Sequence, residues 1–221
     1  MPPCGGGMEI NMELSKEEWL RMSKSFDAVE NQLLELAYTI LMKNVYEAEG
    51  HPWSPYRCIS PARCLEEPGK NGFMVIWNWD TAFHSIGVSR WDTALAREGL
   101  LGFMQYQKES GIFPDVIFEN GSIADTFSKP PVLAWACVIV YKRENDIEFL
   151  KKVYPMLVKN ESYWMKKRCQ DSLLFYDAED SKDDKDYELH VRYESGWENS
   201  IRWDKTITDM WPIDLNCFMV I

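Results

Sequence analysis

Apolar residues recur at helical spacing in one segment of this chain after another, and its Gly, Pro and aromatic residues gather in the connectors between those segments. Trp19, Met22, Phe26, Val29, Leu33, Leu36, Ile40 and Val45 fall every three to four residues, which lines one face of a long helix. Ser15-Lys16-Glu17-Glu18 opens that helix as a capping box, and residues 1–14 before it read as a flexible extension. Helical patterning returns over Asp80 to Gly87, over Thr93 to Lys108 closed by Gly111, and over Pro131 to Lys142, where Pro130-Pro131 suits a helix entrance. Asp146 is placed to cap a further helix, or a broken helix pair, reaching Lys167. The one strand signal is a short hairpin pairing Leu173–Tyr176 with Glu188–Tyr193. Successive helices joined by loops predict an all-α chain of αα-hairpins stacked side by side. The repeat lies in this rhythm and not in residue identity.

Partners are narrowed by charge. A formal net charge of −11 with no dense Lys/Arg cluster repels phosphate backbones and anionic headgroups, so neither nucleic acid nor a membrane surface is expected. The longest apolar runs, Val132 to Tyr141 and Leu215 to Ile221, fall short of the roughly 20 residues that span a bilayer. The N-terminus lacks the basic-then-apolar order of a signal peptide, which predicts a cytoplasmic protein with reduced thiols. Cys137 and Cys217 sit among apolar helical residues and are expected in the core. Cys58 and Cys64 are the one pair that hints at metal, but with three scattered histidines no metal site is predicted. The acidic run Asp177 to Asp186 lacks the glycine and terminal glutamate of a calcium loop and reads as a solvated surface loop.

Three connectors carry more chemistry than a helical scaffold needs, and the loop from Glu49 to Gly72 is itself unusually long. In Trp77-Asn78-Trp79-Asp80-Thr81-Ala82-Phe83-His84 two indoles flank a carboxylate at a helix start. Indole faces stack on the apolar face of a pyranose, and a carboxylate accepts from adjacent hydroxyls. The plainer alternative makes Asp80 a helix cap and the tryptophans core. Gly111 to Asp115 and Phe127 to Pro131 form the second cluster, for which an ordinary turn and a proline-initiated helix are sufficient. The third, Tyr193 to Asp204, gathers three carboxylates, an arginine and three aromatics around Gly196. Glycoside hydrolysis uses one carboxyl to protonate the leaving oxygen and another to activate water or attack the sugar. Glu198, between Trp197 and Asn199, is the candidate acid, with a salt-bridged corner in which Glu194 or Asp204 holds Arg202 as the alternative.

The order Trp77-x-Trp79-Asp80-Thr81-x-Phe83, Ser128-x-Pro130-Pro131, Glu194-Ser195-Gly196-Trp197-x-Asn199-Ser200-x-Arg202-Trp203-Asp204 and Pro212-Ile213-Asp214-Leu215-Asn216 resembles glycoside hydrolase family 63 and the related trehalases. The likeness is greatest to bacterial members acting on glucosylglycerate or mannosylglycerate, and it runs from about Asn71 to the C-terminus. The resemblance implies an (α/α)6 toroid that hydrolyses α-glycosidic bonds with inversion and without a cofactor, its partner a small α-glycoside or oligosaccharide. It places Glu198 at the general acid. Trp77, Asp80 and Lys129 fall on the non-reducing sugar, with Tyr193 flanking the pocket and Gly196 admitting close backbone approach to the sugar.

Three departures qualify the match. The family acid is ordinarily aspartate, so Glu198 reaches one methylene further. Lys129 stands where a glutamine is usual, exchanging a two-way hydrogen-bonder for a cation; this points either to an anionic substrate such as a glyceric acid glycoside or to a spoiled pocket. The family's catalytic base lies in the second half of the toroid, and this sequence ends at Ile221. Residues 15–221 are therefore expected to be the N-terminal portion of a catalytic domain: a truncated partial toroid, inactive or nearly so, self-associating through its exposed edge. The alternative is a non-catalytic carbohydrate-binding or interaction protein derived from the same fold.

Overall fold

A computed structural model of the chain describes residues 28–62, 75–178, 181, 183–203 and 210–220. The expected N-terminal extension, the capping box at Ser15, the stripe positions Trp19, Met22 and Phe26, Cys4, Cys64, residues 63–72 of the long loop, and Asp204 lie outside those residues.

Helices dominate, and local chemistry sets their ends. α1 spans Ala28–Lys43, α2 Asn78–Val88, α3 Thr93–Met104, α4 Leu133–Glu144, α5 Ile147–Lys167, α6 Asp184–Ser195 and α7 Ile213–Phe218. The Asp92 side chain accepts from Leu95 N–H at 2.7 Å to start α3, and Asp183 accepts from Asp186 N–H at 2.9 Å to start α6. Asp146 caps α5 as expected, its Oδ1 accepting from the N–H groups of Glu148 and Phe149. α5 is a single helix and not a broken pair: it runs through Pro155, whose missing N–H removes one donor from the helix's own hydrogen-bond ladder. α6 ends on Gly196 in the left-handed region, φ 69°.

Helices α2 to α5 pack in succession, α2 on α3 and α4, and α4 on α5. Their shared core holds Ala82, Leu95, Leu100, Phe103, Ala136, Val140, Phe149 and Val153, all buried. A second core of Ile112, Tyr163, Trp164, Leu174, Tyr176, Val191, Trp203 and Leu215 joins the end of α5 to α6 and α7.

Short strands lie in the connectors between α1 and α4, where none was expected. β1 (Val45–Tyr46) pairs with β2 (Cys58–Ile59). β3 (Val75–Trp77), β4 (Val116–Phe118) and β5 (Ile123–Ala124) form an antiparallel sheet with Trp77 opposite Val116 and Val116 opposite Ala124. The expected hairpin is half correct. β7 (Leu173–Leu174) pairs with β6 (Cys169–Gln170) across a tight turn, and Glu188–Tyr193 is helical inside α6, where Asp183 supplies a cap that no strand would use.

The stripe on α1 is also corrected. Val29, Leu33, Leu36 and Ile40 are exposed, while Leu34, Tyr38, Leu41 and Met42 face the core. The helix is apolar on two sides, and the described neighbours cover the side that the spacing did not single out. Cys137 is buried as expected, but Cys217 is exposed because α7 turns Leu215 inward instead.

Candidate active site

The β3–β4–β5 sheet draws the first two chemical clusters together. Asn78 N–H donates to the Asp115 carbonyl at 2.9 Å, its side-chain amide to the Pro114 carbonyl at 2.8 Å and to Ser128 Oγ at 3.3 Å, and Asp115 N–H donates to the Ala124 carbonyl. Trp77 thus ends a strand against the Asp115 segment, and α2 begins one residue later with Asp80 in its first turn. Asp80 is not a cap. Trp77 occupies that position and makes no capping bond with its side chain, while the Asp80 carboxylate accepts from its own backbone N–H and lines a cavity.

The third cluster is fastened to the second by two cross-links. Ser128 N–H lies 3.4 Å from Glu194 Oε1, and the Lys129 ammonium donates to the Tyr193 carbonyl. Glu194 is fully buried and its carboxylate is met by Arg168 at 3.2 Å and by Asp177 N–H at 2.7 Å. Burial raises the Glu194 pKa, and the guanidinium offsets part of that rise. Arg168 in turn reaches Asp177 at 3.5 Å and lies over the Tyr163 ring, so the first residue of the acidic run is half-buried structure and not solvated loop. Arg202 is not held by Glu194: it pairs with Asp214 at 3.1 Å and lies over Trp197 and Trp203. Ser195 Oγ accepts from Trp197 N–H, and Trp203 Nε1 donates to the Trp197 carbonyl, which fixes the turn that carries Glu198.

Pro61, Trp77, Trp79, Asp80, Lys129 and Glu198 line one cavity of about 240 Å³. Four residues expected at a sugar site therefore share a wall, although they come from stretches more than a hundred residues apart in sequence. The Lys129 ammonium lies 3.2 Å from Glu198 Oε1 and 3.4 Å from Asp115 Oδ1. The second approach is an ion-pair distance without hydrogen-bond geometry, so Asp115 Oδ1 is a buried oxygen with no hydrogen bond. Burial pushes Asp115 up to about 7 against the pull of Lys129, and burial likewise raises Asp80, with Lys129 lowering it and Glu198 adding to the rise.

The two remaining expected residues take other places. Tyr193 is half-buried, its ring against Phe127 and near the Lys129 ammonium. Gly196 is approached closely by the Trp79 indole: a Cβ there would lie 2.1 Å from that ring. The spacing of residues did not single out Asp115, since a Pro-Asp pair after a glycine is an ordinary turn. The signal lay in Lys129, because an ammonium among prolines and aromatics needs a buried counter-charge. Among the described residues no group of three or more His, Cys, Asp or Glu side chains is arranged to hold a metal ion, and Cys58 is buried.

Residues 74–213, more than half of the chain, match the family model described as "Mannosylglycerate hydrolase MGH1-like glycoside hydrolase domain". The chain belongs to the MGH1-like glycoside hydrolases. Among curated relatives, Mannosylglycerate hydrolase MGH2 of Selaginella moellendorffii is 24% identical, covering 66% of this chain and 32% of that protein. A rice protein named "Probable trehalase" is 25% identical, covering 59% of this chain and 32% of its own length. The solved GH63 mannosylglycerate hydrolase of Thermus thermophilus, in complex with Tris, superposes with a TM-score of 0.57 at 23% identity, covering 81% of this chain and 43% of that one. This MGH1-like chain thus spans about a third of the length of those curated relatives and has the fold of part of an (α/α)6 toroid. No helix among its described residues is long and apolar enough to cross a membrane.

Proposed function

We propose that this chain is the sugar-holding, acid-bearing portion of a domain that hydrolyses small α-glucosides or α-mannosides with inversion, and that residues 15–221 are the first part of that domain. The observation that carries the reading is the shared cavity of Trp77, Asp80, Lys129 and Glu198. The indole of Trp77 offers an apolar face to a pyranose, and Asp80 accepts from its hydroxyls. Glu198 stands at the cavity wall as the proton donor to the leaving oxygen. Tyr193 closes the lysine side, and Gly196 lets Trp79 settle at the rim. The share of the relatives' length covered by this chain supports placing the base, which activates water, on sequence beyond it. A structure of the Thermus thermophilus enzyme holds glucose, in keeping with a small-sugar site.

One observation favours a second reading, sugar binding without turnover: the carboxyl that would donate a proton accepts from the Lys129 ammonium instead. Calorimetry with methyl α-glucoside and methyl α-mannoside, together with an assay of released sugar, separates the two. Asp80→Ala removes a charge-assisted contact of about 1.5–3 kcal/mol, weakening binding by roughly ten- to a hundredfold. Unchanged binding in that variant would remove Asp80 from the site. In a protein that also carries the sequence bearing the base, sugar release that Glu198→Gln abolishes establishes hydrolysis, full release in that variant refutes the acid assignment, and binding with no release leaves the binding reading.

A further inference from the structure

We propose that the exposed face of α1 is an interface for a second copy of this chain, the two α1 helices packing antiparallel about a two-fold axis along a seam of Val29, Leu33, Leu36 and Ile40. The proposal does not depend on the sugar-site reading. α1 has 16 residues and rises about 24 Å. On it Val29 is 64% exposed, Leu33 59%, Leu36 54% and Ile40 48%, and these four stand alternately four and three residues apart. That alternation averages 3.5 residues, the period by which one helix keeps a single seam against another over several turns. In the sequence the same alternation reaches back through Phe26, Met22 and Trp19. The opposite face anchors the helix: Leu34, Tyr38, Leu41 and Met42 pack on the core of α2 to α5. The seam is therefore surplus to what the described residues of the fold use.

The seam matches itself. When two copies of α1 run antiparallel and meet midway between Leu33 and Leu36, Leu33 of each faces Leu36 of the other, and Val29 faces Ile40. Every exposed member then finds an apolar counterpart. Gln32, Ala37 and Thr39 flank the seam without charge, and the Thr39 hydroxyl donates to the Glu35 carbonyl at 2.8 Å within its own helix. Charge selects the orientation. Lys43 continues the spacing three residues after Ile40, so a parallel pair would bring two ammonium groups together. The antiparallel pair instead sets the acidic first turn of each helix, with Glu30, beside the basic last turn of the other, with Lys43, and opposes the two helix dipoles. Helices this short make an interface near the low end of about 1,200 Å², which sets the expected affinity in the micromolar range.

Sedimentation equilibrium of the chain should show a monomer–dimer equilibrium with a dissociation constant of about 10 μM or tighter. Leu33→Gln combined with Leu36→Gln should raise that constant about a hundredfold or more, since each substitution acts twice across a two-fold axis. The far-UV circular dichroism of the monomer should not change, because both positions are exposed and glutamine suits a helix. Val138→Gln, on the exposed side of α4, should leave the dimer intact. A chain that stays monomeric up to about 100 μM would overturn the proposal and leave the seam to a helix from elsewhere. A dimer that Val138→Gln disrupts and the α1 variant does not would overturn it as well, moving the contact to α4. In a mixture of Val29→Cys and Ile40→Cys chains, oxidation should yield a cross-linked peptide joining residue 29 of one copy to residue 40 of the other. Links between like positions alone would refute the antiparallel pairing.

Discussion

Replacing Gly196 by alanine drives a methyl group into an indole. The new Cβ would lie 2.1 Å from Trp79 Cη2, 2.4 Å from Cζ2 and 2.7 Å from Cζ3. Non-bonded carbons rest about 3.5–4.0 Å apart, so the ring or the turn must retreat by more than about 1 Å. Overpacking of that kind costs about 1–3 kcal/mol. Alanine at φ 69° adds about 1–2 kcal/mol for the left-handed backbone, giving a total of about 2–5 kcal/mol. Gly50 separates the two contributions. Its φ is 81° and nothing lies within 4 Å of its Cβ position, so Gly50→Ala should show the backbone cost alone. Urea unfolding followed by far-UV circular dichroism gives both numbers in one background. In a Trp79→Ala chain the overpacking cost should vanish, leaving Gly196→Ala near the Gly50→Ala value. Equal costs for the two glycines in the parent chain would mean that the indole does not rest on Gly196, and the position assigned to Trp79 at the cavity rim would fall with it.

Two further perturbations test the buried charges. Asp115 is held near 7 in the fold against an ordinary value near 4, so between those pH values the folded chain keeps a proton that the unfolded chain has released. Stability should therefore fall as pH rises through that window, by at most about 4 kcal/mol, and Asp115→Asn should flatten the decline; parallel pH–stability curves for the two chains would exclude it. Arg168→Met strands the Glu194 carboxylate in the interior and should cost about 3–5 kcal/mol, most of it recovered when Glu194→Leu is added, as read from denaturant midpoints. If the double variant is no more stable than the single one, the pair is not the joint between α5 and α6.

What the sequence made legible follows from how local each signal is. Asp146 announces α5 because a cap acts within three residues, and the helices α2 to α5 show in their own spacing. Strands β1 to β5 escaped notice because each is two or three residues long, too short for alternation to register, and β3 finds its partner some forty positions away. The Glu188–Tyr193 segment misled because Tyr, Leu and Val suit a strand as well as a helix, and only the cap at Asp183 decides. On α1 the spacing identified an apolar face correctly but not which way it points, since that depends on neighbours distant in sequence. At the site, Trp77, Asp80, Lys129 and Glu198 were each visible as residues out of place in a connector. Asp115 was not, because its importance exists only once Lys129 lies beside it. The alternative reading that offered Glu194 to Arg202 likewise named a partner that the fold does not choose, because several opposite charges lie within reach in sequence and only the fold selects among them.

The contact between Lys129 and Asp115 also makes the two positions interdependent. A lysine at 129 without the aspartate keeps the Tyr193 carbonyl and the Glu198 carboxylate as acceptors, whereas an aspartate at 115 without the lysine stays buried and loses the cation 3.4 Å from it. Loss of the lysine alone is therefore the costlier single change, and replacement of the two together the milder one.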